Sequence, residues 1–206
     1  MAKTVKYELD QQEFLDYYEE LLSETAVMMW ETRHTAFTFA FYLNHLYGLH
    51  LVRRDSVTVF KKNVPLACAV YSHHDSVNHQ QFFLIENSME GMQRFRELSY
   101  FDKLLLATGP DARERLRCIY DEMYQPARTA TGIVEAQRES MRRSFIDNGI
   151  VQCADFDFSD PDSPATTFLP YAAPDTPQYR KQQKYLEFQK EYIEDLLVQL
   201  DPYMAE

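Results

Sequence analysis

Glycine is scarce in this chain, and its scarcity excludes several common functions. Only five of the 206 residues are glycine, against ~7% in an average protein, and they lie far apart: Gly48, Gly91, Gly109, Gly132 and Gly149. A phosphate-binding P-loop, a dinucleotide-binding G-x-G-x-x-G turn and the G-x-S-x-G elbow of hydrolases each need at least two glycines within about six residues. The sequence contains none of these motifs, and we expect no cofactor.

Cysteine and long apolar runs are also in short supply. Cys68, Cys118 and Cys153 are odd in number and far apart, whereas a disulfide framework needs pairs and a zinc site needs closely spaced thiols. The longest apolar run, 66–71, is much shorter than the ~18 residues of a membrane span. The first residues also lack the apolar core of a signal peptide. These features predict a cytoplasmic protein without a membrane partner.

Positive charge is in deficit. The chain has 32 Asp and Glu against 21 Lys and Arg, which gives a formal net charge of −11. A net charge of this sign repels the phosphate backbone of nucleic acids, so we do not expect nucleic acid as a partner. The hydrophobic content of 45% is sufficient for a substantial core in a folded domain.

Hydrophobic periodicity predicts a mixture of helices and strands. Apolar residues at helical spacing predict helices over 10–22, 32–47 and 111–123, the second capped by Thr32 and ended by Gly48. β-Branched and aromatic runs predict strands at 26–30, 49–54, 57–60, 65–71, 80–86, 101–108 and 129–136. Because short links join consecutive runs, we expect an α+β (α/β) two-layer sandwich, with a mainly antiparallel sheet and helices on one face.

The composition changes towards the carboxyl end and predicts three regions. Residues 1–150 form a single α/β domain with an N-terminal helical extension. Residues 151–177 contain five prolines and five aspartates and predict an arm or linker, after a turn at Asn148 and Gly149. Residues 178–201 predict an amphipathic C-terminal helix.

One segment carries a family-like motif. Glu97 is followed after three residues by apolar Phe101 and by Asp102, and an apolar strand comes next. This arrangement resembles the IPExxxVDY family, small proteins of Bacteroidetes-type bacteria, but Arg96 and Lys103 stand where the family has proline and tyrosine. A helix ending at Leu43-Asn44, a strand ending at Asn87 and the segment 144–150 extend the likeness over roughly residues 26–151. The resemblance implies an α/β fold and assigns no catalytic residue.

A histidine-rich segment is the sharpest chemical candidate. His73, His74 and His79 lie with Asp75 in a polar run over 72–79 that predicts a hairpin loop. Imidazole and carboxylate groups suit zinc or another divalent metal, and a hairpin would bring His73 opposite His79. A polar loop that favours solubility explains the same residues, because no established ligand spacing is present.

Glu97 and Asp102 are a second chemical candidate. They flank an aromatic segment, and two neighbouring carboxyl groups can act as an acid-base pair when their pKa values differ. Structural capping, or pairing with Arg94 or Arg96, is the alternative role for these two residues.

The C-terminal helix has the clearest interaction pattern. Leu186, Ile193 and Leu200 are spaced by seven residues, with Leu197 between the last two. The pattern covers fewer than the roughly three to four heptads of a confident coiled coil, so packing in cis and dimerisation both stay open. We predict a non-enzymatic cytoplasmic interaction domain that binds a protein partner or forms a homodimer. A metal-dependent or acid-base enzyme that uses the residues above is the alternative.

Overall fold

Ten strands account for the β-structure of the residues that the structure describes. The computed structural model describes residues 24–61, 64–89, 92–93, 101–124, 132–157 and 177. In chain order the strands are β1 (Ala26–Thr32), β2 (Val52–Arg53), β3 (Val57–Lys61), β4 (Val64–Cys68), β5 (Val70–Asp75), β6 (Gln80–Glu86), β7 (Ser88–Met89), β8 (Met92–Gln93), β9 (Lys103–Thr108) and β10 (Ile150–Asp157).

Six of these strands form the main sheet, in the order β10-β1-β9-β6-β5-β2. All neighbouring strands in this sheet run antiparallel. Val27 lies opposite Leu106, and Leu106 opposite Phe83, so aligned side chains cross the centre of the sheet in rows. Strands β3 and β4 form a separate antiparallel ribbon, as do β7 and β8.

Three helices complete the described part of the chain: α1 (Ala36–Tyr47), α2 (Ala112–Tyr124) and α3 (Ile133–Gly149). The Thr35 hydroxyl accepts a hydrogen bond from the Thr38 N–H (3.2 Å) at the start of α1, and Gly48 follows the helix with a left-handed φ of 69°. The predicted position of Gly48 is confirmed. The cap is Thr35 rather than Thr32, because Thr32 is the last residue of β1.

All three helices contribute to a core on one face of the sheet, which we call the first face. The indole ring of Trp30 packs edge-on against Phe39 (5.0 Å between centroids), and Phe39 packs in the same way against Phe145 (5.1 Å). The buried side of α1 is the one that the sequence predicts: Ala36, Phe39, Ala40, Leu43, Leu46 and Tyr47. The predicted two-layer α+β fold with a mainly antiparallel sheet is confirmed.

The region predicted as a strand at 129–136 is helical where the structure describes it. Gly132 precedes α3 as its N-cap, and Ile133 is the first helical residue. The β-branched Ile133 and Val134 favour a strand locally, but the helix formers that follow them decide the structure. Asn148 and Gly149, predicted as a turn, are the last two residues of α3.

The domain extends beyond the predicted boundary at residue 150. Residues 151–157, predicted as the start of an arm, belong to β10, which pairs with β1 along its length. The acidic residues Asp155 and Asp157 interrupt the apolar pattern that would otherwise indicate a strand. The predicted helices at 10–22 and 178–201 lie outside the described residues, as do residues 158–176 of the predicted arm.

Candidate functional site

The histidines predicted as metal ligands lie around one hairpin but do not form a ligand set. His73 and His74 are consecutive in β5, so their side chains project towards opposite faces of the sheet. His79 ends the turn with a positive φ of 53°. The predicted loop shortens to residues 76–79, because residues 72–75 pair with β6. Within the described ranges, no group of three or more His, Cys, Asp or Glu could hold a metal ion.

His73 packs against an aromatic ring of the core. Its ring stacks on Phe82 (5.8 Å between centroids) and lies 5.4 Å from the ring of His50. Burial, and then the neighbouring His50, lower the pKa of His73, which favours the neutral imidazole. Asp75 accepts hydrogen bonds from the backbone N–H groups of Val77 and Asn78, so its carboxylate stabilises the turn.

Asp102 connects the ends of three strands. Its N–H donates to the Trp30 carbonyl (2.7 Å), and its own carbonyl accepts from the Asn87 N–H (2.7 Å). The carboxylate accepts from the Thr32 N–H (3.1 Å), and the Asn87 side chain donates to the Phe101 carbonyl (2.8 Å). These contacts support the structural role of Asp102. Glu97, its predicted acid-base partner, lies outside the described residues.

A buried ion pair, which the sequence reasoning missed, lies next to Asp102. Lys103 Nζ is 3.2 Å from Glu86 Oε1, and the Lys103 side chain is buried while that of Glu86 is 24% exposed. Trp30 lies opposite Lys103 in the neighbouring strand. Its indole Nε1 is buried and has no hydrogen-bond partner within the described residues. The sequence signal for the pair is a lysine that opens the apolar strand β9.

Arginine side chains form hydrogen bonds to backbone carbonyl groups at the C-terminal ends of two helices. Each guanidinium donates to a carbonyl in the last turn of α1 or α2: Arg115 to Tyr47, Arg138 to Leu46 and Arg142 to Met123. Positive charge at a helix C-terminus is favourable because it complements the helix dipole. The first two contacts tie the end of α1 to α2 and α3, and the third ties α3 to α2.

The outer side of α1 carries three ring side chains, Phe37, Phe41 and His45, which we call the aromatic stripe. Residues four apart lie one above another on a helix. Phe37 is 71% exposed and Phe41 is 41% exposed. The Phe41 and His45 rings are 4.0 Å apart between centroids. His45 Nδ1–H donates to the Phe41 carbonyl (2.9 Å), which fixes the orientation of the imidazole.

The sequence around the aromatic stripe is uncharged. Residues 34–52 contain no Asp, Glu, Lys or Arg, in a chain whose net charge is −11. A helix with exposed aromatic side chains and no charged residues of its own suits contact with apolar side chains of another protein, because aromatic residues are enriched and charged residues depleted at the centres of interfaces. The signal in the sequence is that apolar residues occur on both sides of α1, whereas a surface helix usually has one apolar side.

Comparison with known proteins gives no assignment: no protein-family model, no curated protein and no solved structure matches the chain. The resemblance to the IPExxxVDY family therefore stays a prediction. The interaction residues predicted in the C-terminal helix, Leu186, Ile193, Leu197 and Leu200, lie outside the described residues. In the described part of the chain, no helix has both the length and the apolar character needed to cross a bilayer.

Proposed function

We propose that the protein is a cytoplasmic, non-enzymatic interaction domain that binds a partner protein, or a second copy of itself, through the aromatic stripe. The observation that carries this proposal is the exposure of Phe37 (71%) and Phe41 (41%) on a helix whose opposite side lies in the core. Adjacent exposed aromatic side chains keep apolar surface in contact with water. A partner that covers them removes this cost.

The expected contribution of the stripe follows from its exposed area. Complete burial of a Phe side chain stabilises a complex by ~1.5–3 kcal/mol relative to leaving it exposed. Scaled by the exposed fractions of Phe37 and Phe41, the two rings together contribute roughly 2–3 kcal/mol. This free energy corresponds to an increase of about 30-fold to 150-fold in Kd when both rings are removed.

The stripe is also held in place before any partner binds. Thr35 and Gly48 cap α1, and the Asn44 side chain both donates to the Leu51 carbonyl (3.1 Å) and accepts from the Leu51 N–H (2.8 Å). A surface that is already ordered loses little conformational entropy on binding. This rigidity supports a role for α1 as a binding surface.

The proposal is tested by replacing both rings. Phe37→Ser with Phe41→Ser removes the stripe, and Val77→Ser is the matched control, since Val77 is 83% exposed in the turn after β5. Sedimentation equilibrium measures self-association, and quantitative mass spectrometry of tagged protein captured from its own cells measures partners. We expect the double variant to weaken one of these associations while the control retains both. If the double variant folds and keeps the same mass distribution and partners, the stripe is not the binding surface.

The C-terminal helix predicted over 178–201 is a second proposed contact, and it is tested separately. Ile193→Ser with Leu197→Ser removes two apolar residues one turn apart. We expect the Phe37/Phe41 variant to weaken binding, whether or not the Ile193/Leu197 variant also weakens binding. Loss of binding in this variant alone, with the stripe variant unaffected, would assign the interface to the C-terminal helix.

A further inference from the structure

The face of the main sheet opposite to α1, α2 and α3, which we call the second face, is as well buried as the first. Two rows of apolar side chains cross β1, β9 and β6 on this face, each row aligned by strand register. All six are 2% exposed or less: Val27, Leu106 and Phe83 in one row, and Met29, Leu104 and Ile85 in the other. Some part of the molecule therefore excludes water from both rows.

The described helices do not supply this cover. Every buried hydrophobic side chain of α1, α2 and α3 belongs to the first-face core, together with Met28, Leu84 and Leu105 of the sheet. None of the six second-face side chains belongs to that core. Since strand residues alternate between the two faces, the second face needs a separate apolar layer.

We infer that the amphipathic segment 10–22 of this chain docks on the second face. Only residues 23–25 separate it from Ala26, the first residue of β1. Connections between a helix and a strand are typically ~2–6 residues long, and so short a link keeps the helix next to its strand. On the first face, α2 already packs against β1. The side of β1 that is left for segment 10–22 is therefore the second face.

The size and composition of the segment fit the surface. Its apolar residues recur on one side at helical spacing: Phe14, Tyr17, Tyr18, Leu21 and Leu22. Thirteen residues in a helix extend for ~20 Å, whereas β1 and β6 lie about 10 Å apart, two strand spacings. A helix of this length spans both rows of second-face side chains. The C-terminal segment 178–201 has no comparably short link to the sheet, because β10 ends at Asp157.

The experiment measures the accessibility of each face in the full-length chain. Met29→Cys places a thiol on the second face, and the buried Cys153 reports on the first face; Cys118→Ser removes the exposed thiol. Tyr17→Ser with Leu21→Ser disrupts the apolar side of the segment, and Gln12→Ser with Asp16→Ser is the control on its polar side. Alkylation rates at each thiol are read by mass spectrometry.

We expect the thiol introduced by Met29→Cys to react about tenfold faster or more in the Tyr17/Leu21 variant, because local opening increases its exposure. Cys153 keeps its rate, and the polar-side control changes neither thiol. If the Tyr17/Leu21 double variant is too unstable to measure, the milder Leu21→Ala variant replaces it. In this variant, too, the introduced thiol should react faster than in the parent protein while Cys153 keeps its rate. The inference is overturned if the introduced thiol reacts no faster in the Tyr17/Leu21 variant. It is also overturned if the alkylation rates of both thiols rise by the same factor in the Tyr17/Leu21 and Gln12/Asp16 variants. Selective exposure of the introduced thiol by Ile193→Ser with Leu197→Ser, and not by the segment variant, assigns the cover to the C-terminal helix instead.

Discussion

Gly149, the last residue of α3, is a position where two physical effects oppose each other. Its backbone is helical and its φ is not in the left-handed region, so alanine fits the backbone and favours the helix by ~0.5–1 kcal/mol. A Cβ at this position, however, would overlap the imidazole ring of His34. The ring has little freedom to move: Nε2–H donates to the Phe145 carbonyl (2.8 Å), and the ring stacks on Phe145 at 5.3 Å between centroids.

We therefore predict that Gly149→Ala destabilises the protein. Overpacking in a filled site costs ~1–3 kcal/mol, and displacing His34 weakens a hydrogen bond worth ~0.5–1.5 kcal/mol. After the helical gain is subtracted, the net loss of unfolding free energy is about 0.5–4 kcal/mol. In a His34→Ala background the obstacle is absent, so Gly149→Ala changes sign and stabilises by ~0.5–1 kcal/mol.

Urea denaturation of the four proteins of this double-mutant cycle measures both values. The fluorescence of Trp30 provides the signal, because Trp30 is the single tryptophan and is fully buried. The reasoning is refuted if Gly149→Ala changes stability by the same amount and with the same sign in both backgrounds. That result would show that His34 does not restrict the position.

Two further predictions concern charged groups. Lys103→Met should leave the free energy of unfolding unchanged or raise it. Glu86→Gln should lower the free energy of unfolding by ~1–3 kcal/mol, because it leaves the buried ammonium group of Lys103 unpaired. This loss is smaller than for a fully buried pair, because water reaches Glu86. Urea titration of both variants decides this, and equal losses would contradict it. Hydrogen bonds from Arg142 and Arg143 lower the pKa of Glu139 from 4.5 to about 2. Since its folded-state pKa is depressed, Glu139 stabilises the protein above pH 4.5 and loses this effect as the pH falls through about 2. Glu139→Gln should therefore lower stability at neutral pH and converge with the parent protein in acid; a difference that does not depend on pH would exclude this ion pair as the cause.

The sequence predicts α1 well because independent signals agree there. The apolar spacing defines its buried side, and Gly48 marks its end. Strand β6 is predicted with its observed bounds, since an uninterrupted apolar run has clear polar ends. Prediction fails at Ile133 and Val134, where β-branched residues begin a helix, and at β10, where aspartates interrupt a strand. Ile133 and Val134 are exposed, and the helix formers that follow them override their preference for a strand. At β10, pairing with β1 overrides the local preference.

The candidate site was less predictable than the fold. The sequence indicates His73, His74 and Asp102 as candidates because imidazole and carboxyl groups can bind metals or transfer protons. Their arrangement depends on strand alternation and register, which fix the face and the neighbours of each side chain. Phe37 and Phe41 have the composition of core residues, and only the packing of α1 shows that they face water. Apolar residues on both sides of one helix were the available signal.

The most direct test of the proposed function is photo-cross-linking from the aromatic stripe itself. A photoreactive phenylalanine derivative replaces Phe37 in one protein and Val77 in a second, and both are irradiated in the cells that produce the chain. Both positions are exposed, so a difference in yield reports on contact rather than on accessibility. The proposal predicts a defined adduct from position 37, either with a second copy or with one partner protein, and none from position 77. No adduct from position 37, or equal nonspecific yields from the two positions, would contradict it.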